Sequence, residues 1–274
     1  MRASLGRVSS RLQQLFPGDA PVLLDGAVGT ALHTLGWPAA EPTILANLEA
    51  PKLVGTVHDG YRAAGARVLH ANTFGALLAL ANDTPRRLAA VREGVRLARA
   101  AAGDALVAGC LGAFDLGCRA RHVQDVLHVL VDEGVDLLVF ETCNAVADAG
   151  HALELRAELA PHLPLVVCCS STDGSRADHD RVHEALALLA ASGDDVEPGL
   201  NCCRGPHELY KLAAAQEELP RWLKPSAGLP SDPMDDNVLA AFARAARQAG
   251  ARWIGGCCGT DAGTVALMGS ALRG

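Results

Sequence analysis

Short apolar runs alternate along this chain with longer amphipathic stretches. Eight such runs can be picked out, each ending in small or polar residues. They are Val22-Leu23-Leu24, ending in Asp25-Gly26-Ala27-Val28-Gly29-Thr30; Arg67 to His70, ending in Ala71-Asn72-Thr73-Phe74-Gly75; and Ala105 to Ala108, ending in Gly109-Cys110-Leu111-Gly112-Ala113. Next come Asp136 to Phe140, ending in Glu141-Thr142; Leu165 to Cys169, ending in Ser170-Ser171-Thr172-Asp173-Gly174; and Val196 to Leu200, ending in Asn201-Cys202. The last two are Leu223 to Ser226, ending in Ala227-Gly228-Leu229-Pro230, and Arg252 to Ile254, ending in Gly255-Gly256-Cys257-Cys258. Runs this short, rich in Val, Leu and Ile and bounded by turn residues, predict buried strands. The sixth and seventh carry the weakest β pattern.

The stretches between them predict helices. In Pro85 to Ala102, Asp83 or Thr84 can cap, Pro85 suits the first turn, and Leu88, Val91, Val95 and Leu97-Ala98 recur at helical spacing. His179 to Ala191, Pro206 to Leu219, Asp235 to Ala249 and Asp261 to Leu272 behave similarly. Strand-helix alternation predicts parallel βαβ units. Eight units in about 250 residues fit an α/β (β/α)8 TIM barrel. It would form a single domain over residues 20–274, behind an N-terminal helical segment at 1–19. An open doubly wound sheet is the alternative, but the dinucleotide glycine fingerprint is missing after the first strand. In a barrel the C-terminal strand ends share one mouth, so Asp25, Asn72, Glu141, Asn201, Cys202, Cys257 and Cys258 are expected to converge there.

Composition narrows the function. The chain has 274 residues, 50% hydrophobic, and a formal net charge of −7, which disfavours a nucleic-acid partner. No apolar run is long enough to span a bilayer, so no membrane role is expected. The N-terminal MRASLGRVSSRLQQLF lacks the apolar core of a secretory signal; a local helix is preferred to a short transit segment. Of 9 cysteines, six stand as the adjacent pairs Cys168-Cys169, Cys202-Cys203 and Cys257-Cys258. Adjacent cysteines rarely bond to each other, because the geometry strains the intervening peptide. A reducing cytoplasm is the expected location.

Two cysteine-glycine stretches carry the candidate chemistry: Gly199-Leu200-Asn201-Cys202-Cys203 and Gly255-Gly256-Cys257-Cys258-Gly259-Thr260. Cys202, Cys257 and Cys258 would supply three thiolates from the sixth and eighth strand ends. Three protein ligands and an exchangeable fourth position are the mark of a catalytic zinc site. On spacing alone, small buried residues beside tight turns account for the same cysteines. Cys203, next in sequence to Cys202, is expected to point the other way. Cys110, Cys118, Cys143, Cys168 and Cys169 read as packing residues. The histidines form no paired metal motif, and neither a phosphate-binding loop nor a Ser-His-Asp grouping emerges.

The ordered motifs LLDGAVGT (23–30), AGARVLHANTFGA (64–76), FETCNAVADA (140–149), GLNCC (199–203), AGLP (227–230) and GGCCGT (255–260) make the chain resemble the homocysteine S-methyltransferase family. The likeness runs from about residue 20 to 272. It implies a (β/α)8 barrel with zinc held by Cys202, Cys257 and Cys258, L-homocysteine as methyl acceptor and L-methionine as product. It implies Glu141 as partner of the substrate ammonium, with a solvated carboxylate as the alternative. Asp25 and Gly26 would orient substrate, unless Asp25 is a helix cap. Asn72 and Thr73 would line the mouth, unless they are strand-end hydrogen-bonding residues. Asn201 would orient the Cys202 loop. The Ala227-Gly228 amides would meet a carboxylate or merely form a turn. A cationic methyl donor calls for aromatic surroundings, for which Trp37 and Phe74 are candidates against a packing role. With no cobalamin or folate domain expected to follow, a sulfonium donor is favoured, S-methylmethionine or S-adenosylmethionine. The alternatives are a zinc- and homocysteine-binding module serving a separate methylcorrinoid protein, and transfer to another thiol or selenol.

Overall fold

The computed structural model describes residues 11–79, 83–113, 116–117, 119–193, 195–229 and 232–274. All eight predicted runs are strands: β1 (Val22–Leu23), β2 (Val68–His70), β3 (Leu106–Gly112), β4 (Leu137–Cys143), β5 (Leu165–Cys169), β6 (Val196–Cys202), β7 (Trp222–Pro225) and, last in the chain, β10 (Trp253–Ile254). Between β7 and β10 the short β8 (Gly228–Leu229) and β9 (Asp232–Pro233) pair antiparallel, a hairpin where only a turn was expected. The eight main strands run in the order β1-β10-β7-β6-β5-β4-β3-β2, and every neighbouring pair is parallel. A parallel bridge from Leu24 to Val68 brings β1 to β2, helped by Arg67 N donating to Leu23 O at 2.8 Å. The sheet thereby closes on itself as a (β/α)8 TIM barrel in a single domain.

Three strands outrun their predicted ends. β3 reaches Gly112, β4 reaches Cys143 and β6 reaches Cys202, so Cys110, Glu141 and Cys202 stand on strands rather than in loops. Polar side chains there face the upper barrel, where the backbone ladder continues; Ala113 N still donates to Glu141 O at 2.8 Å. The helices follow their caps. Asp83 accepts from Arg86 N ahead of Thr84–Ala102, Ser175 from Asp178 N ahead of Arg176–Ala190, Asp235 from Asn237 N ahead of Asp236–Gln248, and Asp261 from Thr264 N ahead of Ala262–Arg273. The helix from Pro206 stops at Ala214, short of the expected Leu219. Leu219 precedes Pro220, and a residue before proline is pushed out of the helical region.

The barrel interior is packed, not hollow. Val22, Leu24, Val68, Ala108, Leu137, Val139, Val166, Cys168, Trp222 and Trp253 form one buried cluster. The short helix Arg11–Leu15 adds Leu12 to it, 2% exposed. Arg252 donates to Phe16 O, and Arg11 N donates to Asp195 Oδ1 at 3.0 Å, tying this helix to the N-terminal end of the barrel. The rest of the expected N-terminal segment, residues 1–10, lies outside the described residues. No helix among the described residues is long and apolar enough to cross a membrane.

Closure between β1 and β10 leaves no room at Gly255. A Cβ there would sit 2.6 Å from Asp25 O and 2.6 Å from Leu24 Cβ. Because backbone must move to admit it, Gly255→Ala is expected to lower stability by about 1–3 kcal/mol. Urea denaturation measures this, and an unchanged midpoint would show that the closure relaxes freely.

Candidate active site

The mouth is built by two strand ends that the barrel makes near neighbours. β6 delivers Asn201, Cys202 and Cys203, while the segment after β10 delivers Cys257 and Cys258. Cys202 and Cys203 both adopt left-handed backbone, φ 56° and φ 51°. Non-glycine residues there cost on the order of 1–3 kcal/mol each and persist where function demands the geometry. On the other side, Cys257 N donates to Pro225 O at 2.8 Å, and the Thr260 hydroxyl donates to Cys257 O at 2.7 Å. Gly259, φ +80°, lies against the Gly228 carbonyl, where no Cβ fits.

These constraints bring the Sγ atoms of Cys202, Cys257 and Cys258 within 4.8 Å of one another. They are the only such metal-ligating group among the described residues. The Cys202 thiol donates to Cys258 Sγ at 3.6 Å. Hydrogen bonds from Cys202 and then Cys257 push Cys258 down to about 3, while hydrogen bonding with Cys257 and Cys258 drives Cys202 well up. One sulfur is therefore stabilised as thiolate by protons its neighbours keep. Further ionisation needs a cation in the cluster. With three soft sulfur donors gathered, the residues fit a thiophilic divalent ion.

Asn201, fully buried, supports the cluster from the side. Its Nδ2 donates to Cys257 Sγ at 3.6 Å and to Thr142 Oγ1 at 3.1 Å, and its Oδ1 accepts from Thr142 N at 2.9 Å. Thr142 is itself left-handed, φ 64°. Such outer contacts fix a ligand's orientation. The Cys203 thiol instead donates to Asn201 O at 3.4 Å.

Away from the sulfurs, the barrel interior holds a charge network that sequence reasoning only half identified. Lys224 on β7 is 2% exposed. Its Nζ lies 3.3 Å from Asp25 Oδ1 and 3.1 Å from Glu141 Oε1. His70 N donates to Asp25 Oδ2 at 2.6 Å, and His70 Nδ1 lies 2.7 Å from Oδ1. The Cys110 thiol donates to Glu141 Oε2 at 3.4 Å. Burial alone would raise the Asp25 pKa, but the neighbouring His70 and Lys224 hold it at about 2. Burial opposes charge on Lys224 too, but Glu141 and then Asp25 outweigh it and hold its pKa well above the usual lysine value. Glu141 Oε1, though close to Lys224, accepts no hydrogen bond. That oxygen is held by the Lys224 ion pair.

The other predicted residues have different surroundings. Asp25 spends both oxygens on protein. Gly26 is needed for packing, since a Cβ would meet Thr260 Oγ1 at 2.7 Å and the Tyr61 hydroxyl at 2.8 Å. Asn72 Nδ2 donates to Thr43 O at 2.7 Å and Asn47 Oδ1 at 2.8 Å. The Thr73 hydroxyl donates to Cys110 O at 2.7 Å and accepts from Cys110 N at 3.2 Å. Both residues tie the end of β2 to its neighbours. The Ala227 and Gly228 amides are engaged as well, by Cys258 O at 2.7 Å and Ser226 Oγ at 3.2 Å. Trp37 is largely buried, with its Nε1 donating to Glu41 O at 3.2 Å; Phe74 is half-buried and opens the short turn Phe74–Leu77. His70 and Lys224 were missed. The available signal was a lone lysine within the apolar run Trp222-Leu223-Lys224-Pro225.

Asp25 has a testable acid signature. Its folded pKa, about 2, lies below the ordinary 3.8, so its ionised form stabilises the fold. That contribution, on the order of 2 kcal/mol, is complete above the ordinary value and disappears as pH falls through the folded one. The stability gap between wild type and Asp25→Asn should therefore narrow as pH falls from about 5 toward about 2. Denaturation across that range tests it, and a constant gap would contradict the ionised assignment.

Known proteins resemble the chain over nearly its whole length. The homocysteine S-methyltransferase of Escherichia coli (strain K12) is 28% identical across 94% of this chain and 97% of its own length. Homocysteine S-methyltransferase 1 of Zea mays is 25% identical across 92% of this chain and 94% of its own. The crystal structure of the Escherichia coli homocysteine methyltransferase MmuM in its metallated form superposes with a TM-score of 0.75, at 26% identity, over 94% of this chain and 98% of that one. The family model for homocysteine S-methyltransferase matches residues 22–272, and the chain belongs to that family.

Proposed function

We propose that this enzyme moves a methyl group from a sulfonium donor, S-methylmethionine or S-adenosylmethionine, to the sulfur of L-homocysteine, with zinc held by Cys202, Cys257 and Cys258. Family membership supports methyl transfer to homocysteine to form methionine. The observation that carries the metal is the gathering of three thiol sulfurs within 4.8 Å. Bound there, the ion would supply the positive charge that lets a substrate thiol lose its proton near neutral pH.

The chain's own residues do the rest. Asn201 fixes Cys257. Glu141, on β4, is our candidate partner for the amino group of homocysteine. The aromatic and aliphatic floor of the barrel keeps water from below. In the transfer, a bond forms between the acceptor sulfur and the methyl carbon as the bond from that carbon to the sulfonium sulfur breaks. A thiolate and a sulfonium become two neutral thioethers. Trp37 and Phe74 are our candidates for contact with the donor cation. The described free thiols suit a reducing compartment, and we place the protein in the cytoplasm.

Replacing Cys258 with serine should reduce bound zinc from about one equivalent per chain to about a tenth or less. Elemental analysis of folded protein measures this, and full zinc retention would sink the assignment. Zinc-loaded enzyme given homocysteine should form methionine with S-methylmethionine or S-adenosylmethionine. Turnover only with a methylcorrinoid protein would replace the sulfonium donor with that partner.

A further inference from the structure

The turn that carries Cys202 is held from outside the thiol cluster. Cys202 and Cys203 are consecutive left-handed residues, φ 56° and φ 51°, a conformation with little room for a side chain. Cys202 O accepts from Ser226 N at 3.0 Å. The two amides that follow go to side chains. Cys203 N donates to Ser170 Oγ at 3.2 Å, and Arg204 N donates to Glu208 Oε2 at 2.7 Å. The second Glu208 oxygen, Oε1, lies 3.0 Å from His179 Nε2. The Ser171 hydroxyl sits between that oxygen, at 3.0 Å, and Asp178 Oδ2, at 2.8 Å. Burial would raise the Glu208 pKa, but hydrogen bonds led by those from His179 and Arg204 N outweigh it, so the side chain is a carboxylate. Its bond to Arg204 N is therefore charge-assisted, the stronger kind. Ser170 and Ser171 belong to the segment after β5, and Glu208 to the helix Pro206–Ala214. Gly174 lets the two meet, because a Cβ there would lie 2.8 Å from Glu208 Oε1.

We propose that Glu208 and Ser170 are positioning residues for the metal ligand Cys202, holding its turn in the left-handed conformation that presents its sulfur to Cys257 and Cys258. The inference rests on the three-thiol metal reading and goes beyond it by assigning what sets the reach of Cys202. Asn201 bonds to Cys257 Sγ and so steadies a different ligand. Two adjacent left-handed residues persist only where surrounding contacts over-determine them. Here the amides just beyond each of them are the ones that Ser170 and Glu208 receive. Without those acceptors the turn would relax toward backbone angles ordinary for cysteine and carry the Cys202 sulfur away from its partners. Contacts of this outer kind orient a ligand without touching the ion. The competing reading is that Glu208, third residue of its helix, merely favours that helix's N-terminus. Such a role would lower stability and leave metal affinity alone.

The test is the zinc affinity of folded protein, read by competition with a chromophoric chelator, beside the spectrum of the cobalt(II)-substituted protein. Glu208→Ala and Ser170→Ala should each bind zinc about tenfold or more weakly than wild type. Their cobalt(II) forms should show a weaker sulfur-to-metal charge-transfer band, because one thiolate reaches the ion less fully. Glu208→Gln should stay within about threefold of wild type, since its amide oxygen still accepts from Arg204 N. Asp83→Ala removes the cap of the helix Thr84–Ala102, which follows β2 rather than β6. It should lower the thermal midpoint and leave zinc affinity unchanged. If Glu208→Ala does not fold, Ser170→Ala carries the test. Wild-type zinc affinity in either alanine variant would overturn the inference, as would a loss in Asp83→Ala as large as theirs. Wild-type protein that binds no zinc would overturn the metal reading and this inference with it.

Discussion

Three sulfur atoms within 4.8 Å of one another cannot all give up their protons unless a cation joins them. Much of the upper barrel makes sense as the means of enforcing that crowding. Left-handed backbone at Cys202 and Cys203 turns the end of β6 toward β10. The Gly259 turn fits against Gly228 only because it has no side chain. Asn201 spans the gap to Thr142, itself left-handed, and steadies Cys257. Strain of this kind is not needed to close a barrel. It is concentrated where the sulfurs meet.

The interior changes character along the barrel axis. At the N-terminal end, Trp222 and Trp253 pack with ring centroids 6.1 Å apart, and Leu12 joins their cluster. Two residues further along β7, Lys224 meets the carboxylates of Asp25 and Glu141. Two residues past Lys224, Ser226 donates to Cys258 O at 3.3 Å, at the level of the thiols. A strand alternates its faces, so one short segment passes from apolar floor to ion pair to mouth. The floor matters to the charges above it. By excluding water it strengthens each ionic contact and makes any missing partner more costly.

Sequence reasoning recovered all eight barrel strands because each is an apolar run bounded by turn residues. It lost the upper ends of β3, β4 and β6, where inward polar residues look like loop. The thiol cluster was legible because two cysteine-rich strand ends had to meet once the barrel was closed. Asn72 and Thr73 were read as mouth residues from their place in a motif, yet their hydrogen bonds join β2 to Asn47, Thr43 and Cys110. Lys224 and His70 were not legible. Their role depends on contacts with Asp25, 199 and 45 residues distant in sequence. No local pattern encodes such a pairing.

Asp25 shows why a motif and a contact must be kept apart. Its position in LLDGAVGT suggests substrate binding, but it is 0% exposed and its oxygens meet His70 and Lys224. Its influence on a ligand would pass through the lysine it shares with Glu141. Lys224 thus joins two carboxylates that stand far apart in sequence. That coupling arises from three strands of the same closed barrel, and an open sheet with its edges apart would not bring β1, β4 and β7 to one lysine.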